Sequence, residues 1–273
     1  MARTARSARL VTGVVLVAAV CAGALLAPWI GPSDPRQGDI AARLKPPGFP
    51  GHPLGTDQLG RDLLSRILFG TRLSLLTSLA TVAITIVLGT WSGVVAGYYG
   101  GLADRLVSGV VDIQMAFPFL LMAVAIVSAL GPGLVNVVVA LALWGWVIYC
   151  RLVRARVMSL KEQEFVQAVR AMGAGDARII GRHMLPNVVP ALLVISSFQV
   201  AQMVVAESAM SFLGLGVQPP TPTLGGIISD GRAYVSTAWW VTTCPGVVLM
   251  GFVLGIGFVG DWLRERLDPR MRV

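Results

Sequence analysis

Six long stretches with almost no charged residues follow one another along the chain, and polar or turn-forming residues separate each from the next. A transmembrane helix needs about 20 predominantly apolar residues, with a range of roughly 17 to 25. The stretches therefore predict six spanning helices in an all-α, polytopic membrane protein. The predicted spans are Leu10–Ile30, Leu73–Tyr99, Leu106–Leu130, Leu134–Cys150, Asn187–Leu213 and Ala233–Gly260.

Lysine and arginine are distributed unevenly between the two sides of these spans. If the amino terminus is cytoplasmic, 15 of the 22 lysines and arginines lie on the cytoplasmic side. Because cytoplasmic loops of membrane proteins carry an excess of these residues, both termini are predicted to be cytoplasmic. The uncharged run Leu10–Ile30 is longer than the roughly 7 to 15 residues of a signal-peptide core, so it is expected to remain as the first helix.

The long outer segment before the second span changes character near its middle. Six prolines within residues 31–53 predict an extended linker, because proline removes an amide donor and restricts the residue before it. From Asp57 onward, apolar residues fall on one side of a helical projection and charged residues on the other. Asp57–Arg61 and Asp62–Arg66 have the i, i+4 spacing of ion pairs. This pattern predicts an interfacial helix that lies along the membrane before the second span.

The segment between the fourth and fifth spans, residues 154–186, predicts two short helices with a break between them. The first helix carries a stripe of apolar side chains at helical spacing, formed by Phe165, Ala168, Val169 and Met172. Gly173 is expected to stop this helix, Asp176 to cap the next one and Pro186 to end the pair. The stripe needs a covering surface, which is either the ends of the chain's own helices or another protein.

This loop resembles a known coupling element. The run EFVQAVRAMGAGDARIIGRHMLPN is similar to the EAA loop of permease subunits in ATP-binding-cassette (ABC) importers, where the loop inserts into a groove of the ATPase subunit. When the runs are aligned on Gly173, Pro186 ends the family pattern, whereas Gln167, Val169 and His183 depart from it. The coupling residues that the resemblance implies are Phe165, Ala168, Val169, Met172, Gly173, Asp176, His183 and Pro186.

Three more stretches resemble the C-type permease subunits of dipeptide, oligopeptide and nickel importers: HPLGTDQLGRDLLSRILFGTRLSL, GYYGGLADRLVSGVVDIQMAFPFLL and ESAMSFLGLGVQPPTPTLGG. The resemblance implies a type I ABC importer permease fold. Residues 1–72 would then hold the first helix, the outer linker and the interfacial helix, and residues 73–273 the permease core with its cytoplasmic coupling loop. It also implies ATP-driven uptake of small peptides. The implied partners are a homologous permease subunit, two ATPase subunits, an extracytoplasmic binding protein and membrane lipid.

The chain lacks the residue patterns that catalysis would need. A phosphate-binding loop has lysine followed by serine or threonine, but neither Lys45 nor Lys161 precedes either residue. His52 and His183 are the only histidines and are predicted on opposite faces, so no metal site is expected. The net charge of +8 lies at span ends rather than in a stripe with aromatic residues, so nucleic-acid binding is not indicated. No enzyme activity and no cofactor is expected on this chain, and ATP and Mg²⁺ are expected on partner ATPases.

Two acidic residues interrupt the predicted spans, Asp112 in the third and Glu207 in the fifth. Acidic groups in a bilayer are costly and usually mark a pathway or a partner, so both are candidates for the translocation pathway or its gate. Asp112 alternatively pairs with Arg105 or Arg151 near the cytoplasmic surface, and Glu207 alternatively serves in structural pairing. The alternative function is a proton-coupled secondary transporter, in which one carboxylate carries the coupling proton.

Overall fold

The computed structural model describes the backbone of residues 2–267 and the side chains of residues 8–266. The α-helices of this part are α1 (Ala2–Leu25), α2 (Ala27–Ile30), α3 (Leu63–Tyr99), α4 (Gly101–Met115), α5 (Phe119–Leu130), α6 (Leu134–Lys161), α7 (Glu164–Ala171), α8 (Asp176–Arg178), α9 (Leu185–Phe212), α10 (Leu224–Gly231) and α11 (Trp240–Leu267). No β-strand occurs within these residues. Met1 and residues 268–273, with the predicted cytoplasmic cations Arg270 and Arg272, lie outside the described residues.

Five helical segments are long and apolar enough to cross a membrane by themselves. They contain α1, α3, α6, α9 and α11. Helices α4 and α5 pass the same test only together, and they meet at an angle of 94°. The third predicted span, Leu106–Leu130, is therefore a bent pair and not the single helix expected. Pro118 accounts for the break, because proline cannot donate an amide hydrogen bond and disfavours a helical conformation at the preceding Phe117.

Helices α3 and α6 approach each other closely along a stripe of glycines. Gly89, Gly93 and Gly97 of α3 are spaced four residues apart and so lie on one face of the helix. A Cβ atom on Gly89 would lie 2.5 Å from the carbonyl oxygen of Trp146, and one on Gly93 would lie 2.6 Å from that of Cys150. These distances leave no room for a side chain, so the glycines set the separation of the two helices.

The fifth predicted span belongs to a continuous helical segment, Asp176–Phe212. A π-helical turn, Ile179–Met184, joins α8 to α9. Pro186 falls in the first turn of α9, where its missing amide hydrogen has little consequence. The prediction that Pro186 ends the helix pair is therefore wrong. The fourth span is also longer than predicted, because α6 continues past Cys150 to Lys161.

No interfacial helix precedes the second span within the described residues. Helix α3 begins at Leu63, and residues 57–61 are not helical. Gly60 has a φ of +71°, and a Cβ atom there would lie 1.7 Å from the carbonyl oxygen of Asp39. This left-handed turn, pressed against the preceding segment, is incompatible with the predicted helix.

Residues 31–53 form a folded loop and not the extended linker predicted. Its prolines do exclude long helices, and only a short 3₁₀ turn, Ile40–Ala42, occurs there. Glycines with positive φ, such as Gly48, reverse the chain direction. Leu44 packs against a buried cluster formed by α3, α10 and α11. The loop therefore closes over one end of the helix bundle.

Candidate functional site

One face of α7 packs against the chain itself. Val166 is 1% exposed and lies in a cluster with Tyr149, Val153 and Val157 of α6. Val169 packs half-buried against the same cluster. Val166 was not among the predicted residues, although its i, i+3 spacing from Val169 indicates a shared face.

The other face of α7 presents apolar side chains outward. Phe165 is 42% exposed and Met172 is 78% exposed, and Ala168 between them is also exposed. We call these three residues the α7 patch. The predicted stripe is thus divided, because Val169 packs on the chain whereas the α7 patch has no cover within the described residues.

The turn after α7 depends on Gly173. Its φ is +84°, a left-handed conformation that favours glycine. A Cβ atom at this position would meet no atom within 4 Å. The backbone conformation, and not crowding, therefore disfavours other residues at position 173. Asp176 begins α8 but does not cap it, since the N-cap is Gly175 and makes no side-chain hydrogen bond. The predicted capping role of Asp176 is therefore wrong.

Tyr98, near the end of α3, joins this loop to the helix bundle. Its hydroxyl donates a hydrogen bond to the Asp176 carboxylate at 2.5 Å and accepts one from Arg170 at 3.1 Å. Its carbonyl oxygen accepts a hydrogen bond from the Lys161 ammonium at 2.8 Å. The bond to Tyr98 raises the pKa of the Arg170 guanidinium above its ordinary value. Tyr98 is 3% exposed and, although not predicted, ties α7 and α8 to α3.

The last two predicted coupling residues, His183 and Pro186, lie beyond α8. His183 is half-buried in the π-helical turn, and Pro186 is exposed in the first turn of α9. The structure therefore groups the residues from Phe165 to Asp176 on the short loop helices. His183 and Pro186 lie instead at the base of the following span.

Glu207 is buried between α9 and α3. It is 1% exposed, and its carboxylate accepts hydrogen bonds from the Ser74 hydroxyl at 2.6 Å and the Ser211 hydroxyl at 2.8 Å. No lysine or arginine of the described residues lies within ion-pair distance of it. Hydroxyl donors thus compensate part of the cost of burying this group, and the bond from Ser74 links α3 to α9.

Asp112 forms neither of its predicted ion pairs. It is exposed on α4, and within the described part of the chain neither Arg105 nor Arg151 lies within 4 Å of its carboxylate. Asp104 is the carboxylate that connects α4 to α6, through two hydrogen bonds from Arg154 at 2.5 and 2.7 Å. No cluster of His, Cys, Asp or Glu among the described side chains is arranged to hold a metal ion.

A buried charge network joins the start of α3 to α10. Arg61 donates to Asp57 at 2.6 Å, and Arg66 contacts the same carboxylate. Both guanidinium groups also reach Asp230 of α10, at 3.4 Å from Arg61 and 3.1 Å from Arg66. The predicted Asp57–Arg61 pair is confirmed. The predicted Asp62–Arg66 pair is wrong, because Asp62 caps α3 instead.

The helical architecture is that of a permease from an ABC importer. The chain aligns with one in the inward-facing MetNI methionine ABC transporter at a TM-score of 0.60 and 21% identity, over 74% of this chain and 96% of that one. A chain in the crystal structure of an amino acid ABC transporter with histidines gives a TM-score of 0.58 at 14% identity, over 74% of this chain and 94% of that chain. These likenesses show a type I ABC importer permease fold.

This chain belongs to the family of binding-protein-dependent transport system inner membrane components, whose profile matches residues 86–273. The di/tripeptide transport system permease protein DppC of Pseudomonas aeruginosa is 42% identical over 95% of this chain and 88% of that protein. The glutathione transport system permease protein GsiD of Pectobacterium atrosepticum is 40% identical over 81% of this chain and 73% of that protein. The probable D,D-dipeptide transport system permease protein DdpC of Escherichia coli is 35% identical over 95% of this chain and 87% of that protein. The chain is thus a membrane permease subunit and not an enzyme, and none of these relatives supports a proton-coupled carrier.

Proposed function

We propose that this chain forms half of the translocation pathway of an ATP-driven importer for small peptides. Relatives named as di/tripeptide and D,D-dipeptide permeases match nearly the whole chain, which supports a peptide substrate. The α7 patch is the observation that carries the coupling role. An apolar surface on a short helix outside the bundle favours a protein partner, and the ATPase subunit is the partner proposed.

The proposed assembly contains two ATPase subunits, which carry the ATP and Mg²⁺, and a homologous permease subunit that completes the pathway. The α7 patch and both termini then face the cytoplasm, as the distribution of lysine and arginine supports. An extracytoplasmic binding protein delivers the peptide to the opposite side. The folded loop of residues 31–53 and helix α10 lie at that end of the bundle. Residues 1–72 are proposed as the amino-terminal unit and residues 73–273 as the permease core, with the continuous helix α3 (Leu63–Tyr99) crossing the boundary.

Tyr98 gives the proposed coupling a physical route. Movement of the ATPase against the α7 patch displaces α7, and the hydrogen bonds of Tyr98 pass that displacement to α3. Helix α3 is closely packed on α6 and hydrogen-bonded to Glu207 of α9 through Ser74. Three spans therefore respond to one loop, which is how ATP-driven closure would tip the pathway from one side of the membrane to the other. Glu207 is the proposed gate residue, and Asp112 is proposed to face the pathway.

Purification in mild detergent followed by reconstitution tests this function. We expect a homologous permease and ATPase subunits to co-purify with the chain. With binding protein added, proteoliposomes should take up radiolabelled Ala-Ala only when hydrolysable ATP is present on the ATPase side, and a non-hydrolysable analogue is the control. Uptake driven by a proton gradient in the absence of ATP would contradict the proposal and favour the secondary carrier.

A further inference from the structure

A groove opens beside the break between α4 and α5, and α6 and α9 form its other walls. Its volume is about 610 Å³, which lies in the range of roughly 300 to 1,000 Å³ for small-molecule sites. The polar and aromatic residues that line it include Gln114, Phe117, Trp144, Arg151, Gln199 and Gln202. Non-helical backbone inside a membrane is tolerated where it is buried in protein or lines a cavity. In secondary transporters, which belong to a different class, broken helices commonly form the substrate sites.

Two glutamines of α9 face this groove with unused hydrogen-bonding groups. Gln199 is only 3% exposed, and no side-chain hydrogen bond joins it to any described residue. Gln202 lines the groove one helical turn later and is likewise without a side-chain partner in the described part of the chain. Gln199 is nearly enclosed by protein and Gln202 is exposed to the groove, so both amides are available to a ligand that supplies donors and acceptors.

Gln114 differs from these two because the protein already holds it. The indole nitrogen of Trp146 donates to the Gln114 side-chain oxygen at 2.8 Å, and the Gln114 amide donates to the Trp144 carbonyl oxygen at 3.2 Å. This side chain therefore fixes the wall of the groove at the break, and the free amides of α9 remain to contact a ligand.

Arg151 places a cation in the same groove. Its side chain contacts the sulfur atom of Met115 at 3.2 Å, and no carboxylate of the described residues lies within ion-pair distance of it. A guanidinium group is suited to bidentate binding of a carboxylate. The groove thus combines uncommitted amides with an uncommitted cation, which is the complement of a peptide's backbone and its terminal carboxylate.

We propose that this groove binds the peptide in transit, with Gln199 and Gln202 hydrogen-bonded to its backbone and Arg151 bound to its terminal carboxylate. The proposal rests on the peptide-import function proposed above and identifies its contact residues. Along α6, the rise from Trp144 to Arg151 is about 10 Å. An extended di- or tripeptide is about 7 to 10 Å long. A di- or tripeptide is therefore long enough to extend from Trp144 to Arg151 along this wall of the groove.

A photo-crosslinking experiment on the complete purified transporter tests the location. The probe is a dipeptide of alanine and a diazirine-bearing leucine analogue, and labelled positions are mapped by mass spectrometry. We expect adducts on α6 and α9 beside the groove. Excess Ala-Ala should suppress labelling at least about ten-fold more effectively than its carboxy-terminal amide, because only the free carboxylate can pair with Arg151. Adducts confined to other surfaces of the transporter would overturn the proposal.

Matched variants test the individual residues. Arg151→Gln should remove the preference for Ala-Ala over its amide as competitor, and Gln199→Leu should lower labelling by the diazirine probe. Arg156→Gln changes an exposed arginine of the same helix outside the groove and should behave as the unchanged protein. Equal results for Arg151→Gln and Arg156→Gln would overturn the assignment. Loss of the homologous permease from the Arg151→Gln complex would also overturn it, because the groove would then be a subunit contact.

ATP-driven uptake of Ala-Ala by the unchanged transporter is measured in parallel. Absence of that uptake would contradict the proposed function itself. Normal uptake together with adducts outside the groove would instead contradict only the location of the peptide site.

Discussion

The two ends of this molecule treat charged and apolar side chains in opposite ways. On the α7 loop, apolar side chains are exposed and charged groups hold the loop in place through Tyr98. At the other end, around α10, charged side chains are buried, with Arg66 only 3% exposed and Asp57 fully buried. One end of the bundle therefore exposes an apolar surface that can bind a partner. The other end satisfies its charged groups within the chain.

This difference shows that an amphipathic pattern does not by itself tell which face is covered. Both segments have apolar residues on one side of a helical projection and polar residues on the other. On the α7 loop the exposed residues include Phe165 and Met172, whereas Arg61, just before α3, and Arg66, near its start, are both buried. Which side chains are buried depends on the partner available. A second polypeptide is proposed to cover α7, whereas the chain's own Asp230 pairs with Arg61 and Arg66.

Breaking the buried charge network should have the largest effect. Arg66→Ala leaves Arg61 as the remaining partner of the buried Asp57 and the partly exposed Asp230. An uncompensated buried charge typically costs about 3 to 5 kcal/mol, and the contacts of Arg61 should hold the loss to about 3 kcal/mol. We expect a lower level of folded protein in the membrane and a lower unfolding temperature in detergent. Arg72→Ala, an exposed arginine of the same helix, is the control. Equal stability of the two variants would show that the network contributes little.

Changes at the α7 loop should spare folding and weaken ATPase attachment. Phe165→Ala removes the largest apolar side chain of the patch, for which a loss of about 2 kcal/mol in binding is expected. Gly173→Asp should act in the same direction, because its backbone requires φ > 0. Pull-down of the ATPase subunits and uptake in proteoliposomes are the measurements, with membrane level and the exposed polar Gln167→Ala as controls. Full ATPase binding by both variants would disprove the coupling role.

A smaller effect is expected from Tyr98→Phe, which removes the hydroxyl that joins Asp176 to Arg170 but keeps the ring. The two lost hydrogen bonds are worth about 1 kcal/mol each, but neither involves the α7 patch, so the ATPase should still bind. Uptake per ATP hydrolysed should fall, because α3 is less firmly tied to the loop. The exposed neighbour Tyr99→Phe is the control, and an unchanged ratio of uptake to hydrolysis in Tyr98→Phe would exclude this transmission route.

Glu207→Gln should have the smallest effect on assembly, under about 1 kcal/mol, because the amide oxygen accepts from one serine and the amide nitrogen can donate to the hydroxyl of the other. Glu207 belongs neither to the α7 loop nor to the charge network. The variant therefore tests whether its contact with Ser74 of α3 contributes to transport. We expect normal subunit content and a reduced rate of uptake. An uptake rate equal to that of the unchanged protein would leave Glu207 with a purely structural role.

The features that sequence could predict are those encoded by neighbouring residues. The apolar runs predict the spans, and the stripe before Gly173 predicts a short helix followed by a turn. The missed features depend on distant partners. Tyr98 meets Asp176 across 78 residues and Arg66 meets Asp230 across 164, so no local pattern identifies either contact. Pro118 is a local signal for the break between α4 and α5, but it lies within an apolar run long enough for one span.

The separation between Arg66 and Asp230 also has a consequence for biosynthesis. At about 5 to 20 residues per second, synthesis of the 164 residues between them takes on the order of ten seconds. Throughout that interval Arg61 and Arg66 have been synthesised, but their partner Asp230 has not. A chain that terminates before α10 lacks the Asp230 carboxylate, so Asp57 alone would balance Arg61 and Arg66 in this network. Finished and truncated chains therefore differ in the charge balance of this site.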